Sequence, residues 1–163
     1  MELLKRIQDL LRTKDVTADF DGDDELMFLA RTGPISVRIR VTLRKEAVIV
    51  CAHIPLFVAH HRRLPMCEAI SLANWQLRFA RFEMDASDGE LRCRADLPLY
   101  DGVPTDQQLT HLMYSVWSDT ERYAAALVEV MTGQTEPATA IARAEAPEPQ
   151  PIPRTLATDF TVN

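Results

Sequence analysis

Ile35-Ser36-Val37-Arg38-Ile39-Arg40-Val41-Thr42-Leu43-Arg44, then Lys45-Glu46, then Ala47-Val48-Ile49-Val50-Cys51-Ala52-His53-Ile54: the fold class is decided in this stretch. In its first part Ile35, Val37, Ile39, Val41 and Leu43 alternate with Ser36, Arg38, Arg40, Thr42 and Arg44. A period of two belongs to a strand with one buried and one solvated face. Lys45-Glu46 turns the chain. Residues 47–54 are apolar at odd and even positions alike, the pattern of a central strand covered on both sides. If helices lie on one side of the sheet only, the other side of this strand is left partly uncovered.

Upstream, Leu3, Leu4, Ile7, Leu10 and Leu11 recur at helical spacing and predict a helix over 2–13. Residues 26–32 predict a short strand. Downstream, Pro65 fits the first turn of a second helix, where its missing N–H costs nothing. Met66, Ala69, Ile70, Ala73 and Leu77 give that helix its apolar stripe. Residues 79–85 and 90–97 flank Ala86-Ser87-Asp88-Gly89, a hairpin turn with Gly available for positive φ. Leu91, Cys93, Ala95 and Leu97 face inward; Arg92, Arg94 and Asp96 face outward. Thr105 caps the last helix, with Gln108 as capping-box partner. From Leu109 through Val116 and Tyr123 to Met131 one apolar face persists. Gly133 fits the C′ position that ends it.

These elements predict an α+β domain over 1–133, an antiparallel five-stranded sheet with helices packed on it, in the order α-β-β-β-α-β-β-α. Beyond Gly133 the composition changes. Pro137, Pro147, Pro149, Pro151 and Pro153 make up half of the ten prolines. Residues 134–163 are therefore expected to form an extended Pro/Ala/Glu-rich tail, its last apolar residues, Leu156 to Val162, fraying.

The whole chain has 163 residues, 47% of them apolar, which suffices for one core. A net charge of −6 gives no general attraction to nucleic acid or anionic lipid. Cys51, Cys67 and Cys93 are odd in number and form no C-x-x-C pair, so reduced thiols are expected. No apolar run approaches the roughly 20 residues of a membrane span. The N-terminus has no signal-peptide pattern, and the expected compartment is the cytoplasm.

One block points to a family. It runs Leu72-Ala73-Asn74-Trp75, Phe79-Ala80-Arg81-Phe82-Glu83-Met84-Asp85, Asp88-Gly89-Glu90-Leu91-Arg92 and Leu97-Pro98-Leu99. A helix ending in a small-Asn pair, an x-F-E-h-D strand, a D-G-E-L turn and a long closing helix resemble the YbjN family, small bacterial proteins with a fold similar to type III secretion chaperones. Asn74 matches the family's helix-end Asn; Arg81 stands where the family often has Gly. The resemblance covers about 1–133. It implies a homodimer with a regulatory or chaperone-like role and no catalytic residues or cofactors.

The residues themselves agree in offering little chemistry. Asp19-Phe20-Asp21-Gly22-Asp23-Asp24-Glu25 fails the calcium-loop pattern, because Gly22 falls at loop position 4 and Ala30 at position 12. It reads as a solvated acidic turn. His60-His61-Arg62-Arg63 reads as a solvated loop, with weak nucleic-acid binding as its alternative use. No G-x-S-x-G or phosphate loop is present, and an enzyme of unrecognised type is the other alternative. Arg38, Arg40, Arg92 and Arg94 alternate outward on two strands. If these strands are close, they form a patch able to hold an acidic protein segment through bidentate pairs, the chain's own Glu145-Ala146-Pro147-Glu148 among the candidates. The expected function is a non-enzymatic homodimeric protein-binding module. Its interface is expected at Val48, Val50, Ile54 and Phe57 of the doubly apolar strand, with Trp75 and Phe79 beside them.

Overall fold

A computed structural model describes residues 2–33, 35–100 and 102–146. Among the described residues there are six strands, four α-helices and a single 3-10 turn at His60–Arg62. The order is α1 (Glu2–Arg12), β1 (Asp19–Phe20), β2 (Glu25–Thr32), β3 (Ile35–Arg44), β4 (Ala47–Phe57), α2 (Arg63–Gln76), β5 (Arg81–Met84), β6 (Glu90–Pro98), α3 (Asp106–Thr132) and α4 (Pro137–Glu145). The strands form one antiparallel sheet in the order β1-β2-β3-β4-β6-β5. The expected α+β class and helix-on-sheet layering hold, with six strands in place of five. The extra one, β1, has two residues and pairs Asp19 with Met27 and Phe20 with Leu26. It is too short for any periodicity to reveal.

α3 is the spine of the helical layer and lies against β2, β4 and β6. Its start is the expected capping box: the Gln108 N–H donates to Thr105 Oγ1, and the Thr105 N–H to Gln108 Oε1. Gly133 ends it at φ 76°. Arg62 donates through Nε and Nη2 to the Val130 carbonyl in the last turn, where the helix dipole favours a cation. Gly89 closes the β5–β6 hairpin at φ +86°, and a Cβ there would stand 2.3 Å from the Val58 carbonyl oxygen. Only glycine fits both demands.

Two expectations need correction. The segment after Gly133 is not extended throughout: Pro137 opens a nine-residue helix, α4, that packs on α2 and α3 and buries Ala140 and Ile141. Proline at the first turn and four alanines permit a helix where the proline content suggested none. The remainder of the expected tail, 147–163, lies outside the described residues. The second correction concerns β4. Val48, Val50 and Ile54 are buried by the chain's own helices, so they are not open to a second subunit. The opposite face, Ile49, Cys51 and His53, is half-buried between the arginines of β3 and β6. Aliphatic arginine stems shield apolar neighbours while their guanidinium groups stay in water, and no second helical layer is required.

Candidate functional site

The pleat brings the four arginines together. Arg40, Cys51 and Arg94 form one cross-strand row, and Arg38, His53 and Arg92 the next. The patch is not a free cationic surface, however. Arg40 Nε lies 3.3 Å from Glu25 Oε2. Arg92 Nη2 lies 2.9 Å from Glu83 Oε2, and Arg94 Nε 2.8 Å from Asp96 Oδ1. Arg81 joins Glu83 to Asp96, at 2.8 Å from each. Burial pushes the Glu83 and Asp96 carboxyls up. Hydrogen bonds from Arg92 and Arg81 outweigh this at Glu83, and from Arg81 and Arg94 at Asp96, and both carboxyls titrate below their ordinary value. Arg38 has no carboxylate neighbour among the described residues. Glu145, a suggested ligand for this patch, lies on the helical side, where the Tyr123 hydroxyl donates to its Oε1 at 3.0 Å.

The two arginines of the basic run 60–63 are likewise occupied. Arg62 holds the end of α3, and Arg63 Nη1 donates to the Ala86 carbonyl at 2.6 Å, tying α2 to the hairpin turn. These two guanidinium groups staple backbone. The acidic stretch 19–25 contains β1 and a turn at Gly22, and no cluster of His, Cys, Asp and Glu is arranged for a metal among the described residues. Burial raises two thiols, that of Cys93 in the core and that of Cys51 half-buried on the outer face, where the sequence suggests an inward position for both. Cys51 is raised although Arg92 and Arg94 pull it down, and Cys93 is pushed up to about 12. Neither is a thiolate nucleophile at neutral pH.

What the molecule does offer is exposed apolar surface in two places on its helical side. The first is an aromatic strip at the end of α2 and the first half of α3. Trp75 is 87% exposed, Phe79 60% and Tyr114 57%, with Leu72 beside Trp75 one helical turn away. Phe79 meets the His111 ring edge-on, with centroids 4.6 Å apart, and Tyr114 lies one turn beyond His111. Phe57, expected with Trp75 and Phe79, instead lies with Arg38 and His53 on the other face of the sheet. A bulge between Ile54 and Phe57 shifts the register and turns it outward.

The second place is an apolar groove of about 500 Å³ between α1, β2 and α3. Leu10, Leu11, Phe28, Met113 and Trp117 line it, and Lys14 and Arg31 stand at its rim. β1 covers β2 only at Leu26 and Met27, so among the described residues Phe28 to Thr32 have no strand neighbour on that side. The sheet's other edge is closed differently. Asn74 Nδ2 donates to the Phe82 carbonyl at 3.0 Å, and the Phe82 N–H donates back to Oδ1 at 2.8 Å. That reciprocal pair imitates a strand partner on β5 and gives the helix-end Asn its physical role.

The periodicity arguments passed over Leu29, Tyr114 and Trp117. A large apolar residue at the outward register of β2, and two aromatics outside the core stripe of α3, were the available signals.

Comparison with known proteins agrees with this architecture. The family model YbjN, described as "Putative bacterial sensory transduction regulator", matches residues 3–129. The crystal structure of YbjN from E. coli, described as "a putative transcription regulator", superposes with a TM-score of 0.56 at 17% identity, covering 80% of this chain and 93% of that one. None of the curated proteins compared matches.

Proposed function

The chain belongs to the YbjN family, and on that premise we propose that it is a non-enzymatic regulatory protein acting by protein binding, and that it self-associates through the aromatic strip of α2 and α3. The observation that carries the reading is the exposure of Trp75, Phe79 and Tyr114 on one side of the molecule. Contiguous exposed aromatics are the usual anchors of protein interfaces.

Their surroundings favour a second copy as occupant. Exposed Arg78 flanks the strip on the α2 side. Exposed Glu121, seven residues beyond Tyr114, lies on the same face of α3. An isologous contact about a twofold axis sets the strip of one copy against that of the other, and brings opposite charges within reach of each other. A homodimer with a chaperone-like or regulatory role follows, the strip forming its seam. The family's description as a regulator supports the non-enzymatic part of the reading.

The test uses Trp75 itself, in a Trp117→Phe background that leaves one indole. Burial in a seam shifts its emission to the blue and reduces quenching by acrylamide as protein concentration rises. Emission that stays red and fully quenchable from nanomolar to high micromolar concentration would sink the proposal.

A further inference from the structure

The groove between α1, β2 and α3 adjoins the strip at Tyr114, whose ring lies 5.6 Å from that of Trp117, and its features define an occupant. It has a free strand edge at Phe28–Thr32, an apolar wall from Leu10, Leu11, Met113 and Trp117, and two rim cations, Lys14 and Arg31, with no carboxylate partner among the described residues. Such a site takes an extended segment with large apolar residues at every second position and an acidic residue between them.

The chain contains one. In Thr155-Leu156-Ala157-Thr158-Asp159-Phe160-Thr161-Val162 the sequence alternates so that a strand conformation would put Leu156, Thr158, Phe160 and Val162 on one face and Ala157, Asp159 and Thr161 on the other. We propose that this C-terminal segment docks intramolecularly as an added strand along the free edge of β2, with Leu156, Phe160 and Val162 in the groove and Asp159 turned to Arg31. The sheet's alternation fits this arrangement. On β2, Phe28 lies toward the core and Arg31 toward the outer face. A strand paired with it therefore sets one of its faces toward the helices and the other beside Arg31.

The connection is long enough. α4 runs back along α3, because Thr135 and Arg143 bond Glu129 while Glu145 reaches Tyr123. The chain thus leaves α4 heading toward the first half of α3, where Trp117 stands. From Arg122 to Trp117 is about 8 Å along the axis, and crossing the outside of a helix about 10–12 Å wide adds under about 20 Å. Residues 147–154, Pro147-Glu148-Pro149-Gln150-Pro151-Ile152-Pro153-Arg154, span about 25 Å at the polyproline rise of about 3.1 Å per residue.

The experiment is hydrogen exchange on the full chain, on a chain ending at Arg154, and on full-length Phe160→Asp. The amides of Leu29 and Arg31 are expected to exchange at least tenfold faster in both altered proteins, while the amides of β4 and β6 remain unchanged. In a Trp75→Phe background, Trp117 emission should shift to the red on truncation. A peptide of residues 155–163 added to the truncated chain should restore it saturably, and the same peptide with Phe160→Asp should not. Equal exchange at Leu29 and Arg31 in all three proteins would overturn the proposal. So would protection that disappears on dilution, since that places the segment in another molecule. The deciding readouts, the amides of Leu29 and Arg31, belong to β2, which carries neither Trp75 nor Phe79; Trp117 packs on Tyr114 of the strip, so its emission is compared at a single protein concentration.

Discussion

Asn74 shows how one side chain shapes the molecule. Its amide forms two hydrogen bonds with the backbone of Phe82, on an edge strand of only four residues. Asn74→Ala leaves the Phe82 N–H and carbonyl without those partners. The expected cost is about 2 kcal/mol, read as a lower urea midpoint at unchanged slope. An unchanged midpoint would show that the pair merely accompanies the packing of α2 on β5. The sequence indicated this residue only through its place at a helix end; no spacing rule foretells that a side chain will stand in for a strand. Gly89 was more legible, since a four-residue turn ending in glycine announces positive φ. The close approach of Val58, which also forbids a side chain there, arises from the tertiary fold and is invisible locally.

At the scale of elements, the outer face of the sheet is a ladder of arginines and carboxylates. The alternation in β3 and β6 made the arginines legible. Two of their partners were not, because Glu83 and Glu25 meet Arg92 and Arg40 across strands whose register the sequence does not state, whereas Asp96 meets Arg94 on the same face of β6. The two lowered carboxyls make the face sensitive to acid. A folded pKa below the unfolded one means that the unfolded chain binds protons first as pH falls. The stabilisation from Glu83 and Asp96 is therefore complete above the ordinary carboxylate range of about 4, and is lost as pH falls through their folded values. Both groups are partly exposed, so each contributes on the order of 1 kcal/mol or less. The urea midpoint of Glu83→Gln should fall less between pH 5 and pH 2.5 than that of the parent chain. An identical acid profile would mean that the ladder is energetically neutral. α4 marks the opposite limit of legibility: proline enrichment hid a short helix whose stability comes from docking Ala140 and Ile141 rather than from its own propensity.

For the whole molecule, one helical layer on one face of a six-stranded sheet puts the core between them and leaves two outer surfaces. The sheet side pairs most of its own charge, Arg38 excepted among the described residues. The helical side carries the aromatic strip and the groove, and there the molecule has surface to share. The doubly apolar β4 pointed toward self-association for a reason the fold does not uphold, since its inner side chains are covered by the chain's helices and its outer ones are half-buried beside the side chains of β3 and β6. Trp75 and Phe79, named at the same time, are the part of that expectation that lies on open surface. The self-association claim is tested most directly by sedimentation equilibrium on the full chain and on a Trp75→Asp/Phe79→Asp double variant. With a chain mass of 18.4 kDa, the parent should weigh about 37 kDa, twice that value, and the folded variant 18.4 kDa. A parent that sediments as a single chain at every concentration, or a variant that remains double, would contradict the account.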